Sequence, residues 1–259
     1  MRPGGAILAV DEGESHPPVE APSRGQFPLT RWTLVCQAQD ATEVSAHRAL
    51  SELCELYWYP LYAFVRRSGC GPEDAEDVTQ GFFDELLAKD YLGDVAADKG
   101  RLRSFLMVSI KHYLSKWRRH ARAEKRGGGK AIISIDREAA EERYHLEPVD
   151  ALSPEILYDR HWAMALMKLA HGRLRQEYAD RGKLELFEAL GGSLSPNKPD
   201  HPHAEVAAQL GMSEGNVRQS ASRMRKRYRD ILMEEIAQTV NSQDEIDTEL
   251  AHLFAAFSQ

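Results

Sequence analysis

The sequence predicts an all-α protein made of two helical domains joined by a flexible linker. Apolar residues recur at helical spacing from about residue 31 to 126 and again from 154 onward, and no stretch is rich in strand-forming residues. Three consecutive glycines at 127–129 separate the two blocks. Near the end of the second block, two helical patterns flank Gly211, which is typical of a helix-turn-helix.

The composition sets the boundaries of these segments. Residues 1–29 are rich in Pro, Gly and polar residues and are expected to be disordered. The first helical domain is predicted over 30–126, the linker over 127–153, and the second helical domain over 154–234. An acidic extension, 235–259, follows.

Nothing in the sequence suggests a membrane protein or a secreted one. The 259 residues are 42% hydrophobic, enough for real cores, but no apolar run approaches the length of a membrane span. The short apolar run at the N-terminus is followed at once by Asp11, Glu12 and Glu14, which makes a poor secretory signal. We therefore expect a cytoplasmic protein without membrane insertion.

The cysteines and histidines do not suggest a metal or disulfide framework. Cys36, Cys54 and Cys70 are far apart and odd in number, so free buried thiols are expected. His201 and His203 lack a partner at metal-ligand spacing, and a polar loop explains them. We expect no metal and no cofactor.

Charge is segregated along the chain, although the net charge is only −7. Residues 71–98 hold nine acids against Lys89, whereas residues 101–130 hold ten bases against Glu124. An acidic surface is thus expected beside a basic one, and the basic one can attract nucleic acid despite the negative total.

The acidic segment predicts a helix that begins near Pro72. Its apolar stripe contains Val78, Phe82 and Leu86. Asp74, Asp77 and Gln80 lie on or near another face and offer carboxylates and an amide to a basic partner. A solvated helix face that binds nothing is the alternative.

The basic segment mixes cations with aromatic residues, a combination that suits phosphate attraction together with stacking on unpaired bases. Phe105 and Leu106 are expected in the core, so only the part after Ser109 is available for binding. The candidate DNA-binding residues here are Lys111, His112, Lys116, Trp117, Arg118, Arg119 and Arg122.

The second domain begins where Ser153 can cap a helix and Pro154 can occupy its first turn. Further along, Gly211 supplies a turn, Ser213 a second cap, and a helix starts at about Glu214. Its inward residues are Val217, Ala221 and Met224, packed on a preceding helix that presents Val206, Ala207 and Leu210.

The outward residues of that last helix are the candidate base and phosphate readers. Asn, Gln and Arg can pair with base edges, and further cations can hold phosphates. The candidates are Ser213, Asn216, Arg218, Gln219, Ser222, Arg223, Arg225 and Lys226, with Arg227 and Arg229 as further phosphate contacts. An ordinary solvated basic helix is the alternative.

The extension 235–259 contains acids and no Lys or Arg, with apolar residues at partly helical spacing. It is expected either to pack on its own domain or to shield the basic helix of 214–229 until a partner displaces it.

These three motifs, in this order, resemble the extracytoplasmic-function sigma factors of bacterial RNA polymerase. The resemblance rests on DAEDVTQ in the acidic helix, on the aromatic and basic helix that follows, and on SEGNVRQSASRMRKR after the linker. It covers about 45–126 and 156–230. It implies two helical domains, one resembling sigma region two and one resembling region four.

The resemblance implies that Asp77 and Gln80 dock on core polymerase, with Asp74 beside them. Gly81 stands where the family usually has Glu. The next helix would melt the promoter about ten bases before the start, and there His112 and Lys116 replace the family's Asn and Asp or Asn. The contacts to that element are therefore expected to differ.

For the recognition helix, which reads the element about thirty-five bases upstream, the resemblance assigns Arg218, Arg223 and Arg225. The run 219–221 departs from the family, and the loop 191–203 is longer and richer in Pro. The target sequence is therefore expected to differ too.

The sequence thus predicts a sigma factor that directs promoter recognition, melting and initiation, with core RNA polymerase and promoter DNA as partners and an anti-sigma protein as a further candidate. The alternative is a stand-alone helix-turn-helix repressor or activator, which would bind a palindrome as a dimer. An enzyme using Asp74 and Asp77 is disfavoured, since no nucleophile, phosphate loop or metal-ligand spacing lies nearby.

Overall fold

In the computed structural model, the described residues are 56–88, 101–121, 137–145, 152–194, 202–240 and 242–257, and every regular element among them is helical. The predicted all-α class is therefore confirmed. We number the helices in chain order: α1 (described over 56–67), α2 (Pro72–Ala88), α3 (Leu102–Ala121), α4 (Arg137–His145), α5 (Pro154–Asp180), α6 (Leu184–Leu190), α7 (His203–Leu210), α8 (Glu214–Ala237) and α9 (Gln243–Ala255). A 3-10 turn, Gly191–Leu194, follows α6.

Helices α1, α2 and α3 pack through the apolar stripes expected from the sequence. Val78, Phe82 and Leu86 of α2 are buried, and so are Phe105 and Leu106 of α3. The two helices contact each other, and residues of α1 complete the same cluster. Because the apolar stripe of each helix faces inward, the acidic face of α2 and the basic end of α3 are left outside.

Helix α4 corrects the prediction of a flexible linker over 127–153 for the residues Arg137–His145. The carboxylate of Glu141 accepts hydrogen bonds from Arg66 Nε at 3.0 Å, from Arg66 Nη2 at 2.6 Å and from the Tyr62 hydroxyl at 2.5 Å. The guanidinium carbon of Arg143 lies 3.7 Å from the centroid of the Tyr59 ring. These contacts fix α4 on α1. They could not be predicted from any local pattern in the sequence.

Helix α5 is the longest described helix and forms the centre of the second half. It begins as predicted, with the Ser153 hydroxyl accepting from Ile156 N at 3.3 Å and Pro154 in the first turn. It contacts α6, α8 and α9. None of the described helices is both long and apolar enough to cross a membrane.

The extension 235–259 contains the end of α8 and helix α9, which packs on α8 and α5. Ile246, Leu250 and Leu253 are buried there. Glu249 is also buried, and its carboxylate binds Arg101 and Arg103 at the start of α3. Packing on its own half, one of the two expectations, is therefore found, and contact with α3 is found as well.

A continuous buried cluster includes residues from each of these helices. The first and second halves meet in it, and hydrogen bonds join them. Leu102 N donates to Thr239 O at 3.0 Å, and the Tyr158 hydroxyl donates to Arg103 O at 3.1 Å. The start of α3 is thus fixed to the end of α8 and to the first turns of α5.

Candidate nucleic-acid interface

The turn between α7 and α8 has the geometry that the sequence predicts. Gly211 lies in the left-handed region, at φ 64° and ψ 30°, where a side chain would be strained. Met212 N donates to Ala207 O at 2.9 Å and closes the end of α7. The Ser213 hydroxyl then accepts from Asn216 N at 3.3 Å, and α8 begins at Glu214. Both predicted boundaries are confirmed.

The inward face of α8 is also the predicted one. Val217, Ala221 and Met224 are buried, as are Val206 and Ala207 on the contacting helix α7, while Leu210 is half-buried. This packing fixes the rotation of α8 about its axis. The candidate reader residues all lie exposed as a result: Ser213, Asn216, Arg218, Gln219, Ser222, Arg223, Arg225 and Lys226.

The expectation that α9 shields this face is wrong for the described residues. All eight candidate readers are exposed in the presence of α9. The Glu249 carboxylate of α9 binds cations of α3 instead. The Glu249 carboxylate of α9 therefore pairs with cations at the start of α3, and α9 leaves the candidate reader residues of α8 exposed.

Arg227, which the sequence suggests as a phosphate contact, is paired with two carboxylates of the protein. Its Nη2 and Nε donate to Glu177 of α5 at 2.6 and 2.9 Å, and its Nη1 donates to Glu234 at 2.8 Å. The hydrogen bond from Arg227 lowers the pKa of Glu177, against the opposing effect of burial. Arg227 thus fixes α8 to α5, whereas the neighbouring Arg229 is exposed.

The basic end of α3 presents most of the predicted first set of DNA-binding residues to solvent. Trp117 is half-buried against the core, and Arg122 lies outside the described residues. The exposed members are Lys111, His112, Lys116, Arg118 and Arg119. Since one turn of helix carries several of these cations, the end of α3 is a positively charged surface next to an aromatic ring.

Three of these cations have partners within the protein. Lys111 Nζ lies 2.7 Å from Glu155 Oε1, and Lys116 Nζ lies 3.5 Å from Glu85 Oε1. Arg118 donates to the carbonyl oxygen of Ser68. The Lys111 side chain is 44% exposed, and ion pairs of such exposure are weak enough to exchange for a phosphate.

A cleft of about 350 Å³ lies between α1 and α3 at this surface. Phe64 and Leu114 contribute its apolar walls, and Lys111, Arg118 and Arg119 contribute cations. Ser68 and Ser115 add hydroxyls. Phe64 and Ser68 could not be predicted as part of the cleft from the sequence, since they reach it only through the packing of α1 on α3.

The predicted polymerase-binding residues lie on α2, away from its buried stripe. Asp74 and Asp77 are exposed, and Gln80 is half-buried. Residues three apart on a helix are neighbours on its surface, so these side chains follow one another along α2. The structure places them together as a mainly acidic strip.

Among the described residues, no cluster of His, Cys, Asp or Glu has the arrangement of a metal site. Cys70 is buried and forms no disulfide, and burial raises the pKa of its thiol. Cys36 and Cys54 lie outside the described residues. Comparison of the chain with protein-family models, with curated proteins and with solved structures gave no match.

Proposed function

We propose that this protein is a sigma factor that binds core RNA polymerase and directs promoter recognition, promoter melting and transcription initiation. One observation carries the proposal: the exposed face of α8 holds Asn216, Arg218, Gln219 and Arg223, while its opposite face is buried. A rigidly packed helix with amides and guanidinium groups on its free side has the chemistry of a major-groove reader.

In this proposal, α7 and α8 form a helix-turn-helix in a region-four-like domain that begins with α5. Arg218, Asn216 and Gln219 read base edges in the upstream element. Arg223, Arg225 and Lys226 lie further along the helix and contact phosphates. Ser213 contributes its cap to the position of the first reader residues.

Helices α1 to α3 form a region-two-like domain that contacts the element nearer the start. Lys111, Lys116, Arg118 and Arg119 neutralise phosphates, and the ring of Trp117 stacks on a base that leaves the duplex. Unstacking a base step costs a few kcal/mol, and stacking on an aromatic residue returns ~1–3 kcal/mol per base. Phosphate neutralisation supplies the rest.

The acidic strip of α2 docks on the polymerase. Asp74 and Asp77 offer carboxylates to a basic helix of the partner, and Gln80 offers an amide. Exposed ion pairs of this kind supply specificity and association rate more than affinity. Catalysis belongs to the polymerase, so the protein itself needs no active site.

The deciding experiment mixes the full chain with bacterial core RNA polymerase and maps transcript starts on a genomic library. The expected result is a stable complex with starts at a fixed distance from a common two-part element. The Asp77→Ala and Gln80→Ala variants should weaken the complex without changing promoter choice, and Arg218→Ala should do the reverse.

Lys168→Ala is the matched control, because Lys168 is exposed on α5, carries the same charge and belongs to no candidate surface. It should change neither the complex nor the start sites. Absence of a polymerase complex, together with protection of a palindromic duplex by a dimer of the protein, would favour the stand-alone repressor or activator instead.

A further inference from the structure

The two helices that carry the proposed DNA readers, α3 and α8, are connected to each other at one end. We call this contact, between Leu102 and Thr239, the joint. Leu102 begins α3, and its backbone N–H donates to Thr239 O at 3.0 Å, just beyond the end of α8. The reader surface of α3 lies toward its other end, around Trp117. The reader surface of α8 also lies toward its far end, around Arg218.

Helix α9 stabilises this joint through a buried ion pair between Glu249 and the arginines at the start of α3. Glu249 accepts from Arg103 Nε at 2.9 Å and Nη2 at 3.1 Å, and from Arg101 Nη1 at 2.9 Å. The Glu249 side chain is only 1% exposed. Arg103 also pairs with Asp159 of α5, so one guanidinium connects α3, α5 and α9. The apolar side chains of Leu102, Ile246 and Leu253 are buried nearby in the shared core.

The lengths of the two helices limit how far apart the readers can be while the joint is closed. At a rise of 1.5 Å per residue, Trp117 lies about 22 Å from Leu102, and Arg218 lies about 32 Å from Thr239. Even if the helices pointed in opposite directions, these two lengths would add to about 54 Å, so that the readers would be under about 60 Å apart with the hydrogen-bonded ends included. Elements centred about 25 base pairs apart are separated by ~85 Å of B-form DNA, at 3.4 Å per pair.

The closed joint also occupies part of the α3 reader. Glu155, in the first turn of α5, pairs with Lys111 at 2.7 Å, and Arg67 donates to Leu152 O at 3.3 Å. The start of α5 is therefore placed at the basic surface where phosphates would bind. Closing the joint both shortens the reach of the readers and neutralises one of their cations.

From these observations we propose that the contact of α9 with the start of α3 is a latch, which holds the protein closed and opens when both promoter elements are engaged. The proposal rests on the proposed function, because the promoter spacing enters it. Glu249 is the central latch residue, since its two oxygens accept hydrogen bonds from both Arg101 and Arg103 at the start of α3.

The test measures the distance between spin labels at His120→Cys, at the end of α3, and Gln209→Cys, near the end of α7. Both positions are exposed. The background chain has Cys36, Cys54 and Cys70 replaced by Ala, and its transcription activity is verified. The free protein should give one narrow distribution, and the complex with core polymerase and promoter should shift it outward by at least ~20 Å. An unchanged distribution in a transcribing complex would overturn the latch.

A second arm tests the latch without polymerase, so that its failure is separate from failure of the proposed function. Glu249→Gln should broaden the distribution of the free protein toward long distances, and Arg101→Gln should do so to a smaller extent. Circular dichroism verifies that each variant remains helical and unfolds cooperatively. If Glu249→Gln proves unfolded, Arg101→Gln decides, since Arg101 lies at the partly exposed edge of the cluster.

Glu188→Gln is the matched control, because it breaks the Arg175–Glu188 pair between α5 and α6, away from the joint. It should leave the distribution unchanged. If the folded Glu249→Gln and Arg101→Gln variants gave the wild-type distance distribution, Glu249 would not hold the joint closed. This conclusion would not depend on the result with polymerase.

Discussion

The hydroxyl of Tyr113 in α3 lies directly against the α carbon of Gly81 in α2. A Cβ at position 81 would overlap that hydroxyl, while it would lie 3.5 Å from Tyr113 Cζ, an ordinary contact. The Tyr113 ring also packs on Phe82, with 5.9 Å between ring centroids. Gly81 is thus the residue that lets α2 and α3 approach at this point, since any side chain there would meet the Tyr113 hydroxyl.

Gly81→Ala should therefore destabilise the protein, although Ala is the better helix former. Overpacking costs about 1–3 kcal/mol, whereas replacing Gly by Ala in a helix gains at most ~1 kcal/mol. In a Tyr113→Phe background the obstructing hydroxyl is gone, so the same Gly81→Ala change should become neutral or stabilising. Urea unfolding of the four proteins measures the sign in each background.

A stabilising effect of Gly81→Ala in the wild-type background would show that Tyr113 can move aside. Gly172→Ala is the matched control, since Gly172 lies in α5 and a Cβ there meets no atom within 4 Å. It should gain up to ~1 kcal/mol in both backgrounds.

Glu249 should make the fold sensitive to acid. Burial raises the pKa of Glu249, but the hydrogen bonds from Arg103, Arg101 and His252 and the charge of Arg103 outweigh it, so the pKa falls below its ordinary 4.5. A lowered pKa in the folded state means that the stabilisation is complete above the ordinary value. It is lost as the pH falls through 4.5 toward the folded-state pKa.

The Glu249→Gln variant should accordingly lose about 3–5 kcal/mol at neutral pH, because two arginines lose their buried partner. Its stability should also change less than that of the wild type below about pH 4.5. Urea unfolding at several pH values tests both points. Glu188→Gln, at an exposed pair, should keep the wild-type pH dependence, and an equal acid response in both variants would contradict the role of Glu249.

Ser213 should contribute to stability as a helix cap. Its hydroxyl satisfies the backbone amide of Asn216, so Ser213→Ala should cost ~1 kcal/mol. Ser213→Asp should restore most of the loss, since a carboxylate also accepts the amide hydrogen bond and favours the helix N-terminus. Thermal unfolding measures the changes, with the exposed Ser222→Ala on the same helix as the control. Equal losses in Ser213→Ala and Ser222→Ala would argue against capping.

Substitutions of Arg223 and Arg227 should have different effects, because we expect Arg223 to contact DNA and Arg227 to stabilise the fold. Under the proposed function, Arg223→Ala should reduce the salt dependence of promoter binding by about 0.9 in the slope of log K against log salt, with unchanged stability. Arg227→Ala breaks pairs with Glu177 and Glu234, so it should lower stability by up to ~1 kcal/mol and leave the slope unchanged. A reduced slope for Arg227→Ala in a folded protein would return this residue to the DNA surface.

The local features of this protein can be predicted from its amino-acid sequence. The start of α8 at Glu214, the turn at Gly211 and the burial of Val217 depend on residues within about one helical turn, so capping and a 3.6-residue period suffice to predict them. The exposure of the candidate reader residues on α8 follows from the same period. The sigma-factor function itself remains a prediction from these motifs.

Which surfaces of the helices meet could not be predicted in this way. Arg227 binds a carboxylate 50 residues away and Arg103 one 146 residues away, and α4 docks on α1 through Glu141. No periodicity links such residues, because their pairing depends on the packing of whole helices. The requirement for glycine at position 81 also depends on tertiary packing, since it is the approach of α3 that leaves no room for a Cβ there. Local chemistry thus sets where helices begin and which face is apolar, whereas packing decides which charges are neutralised and which remain for a partner.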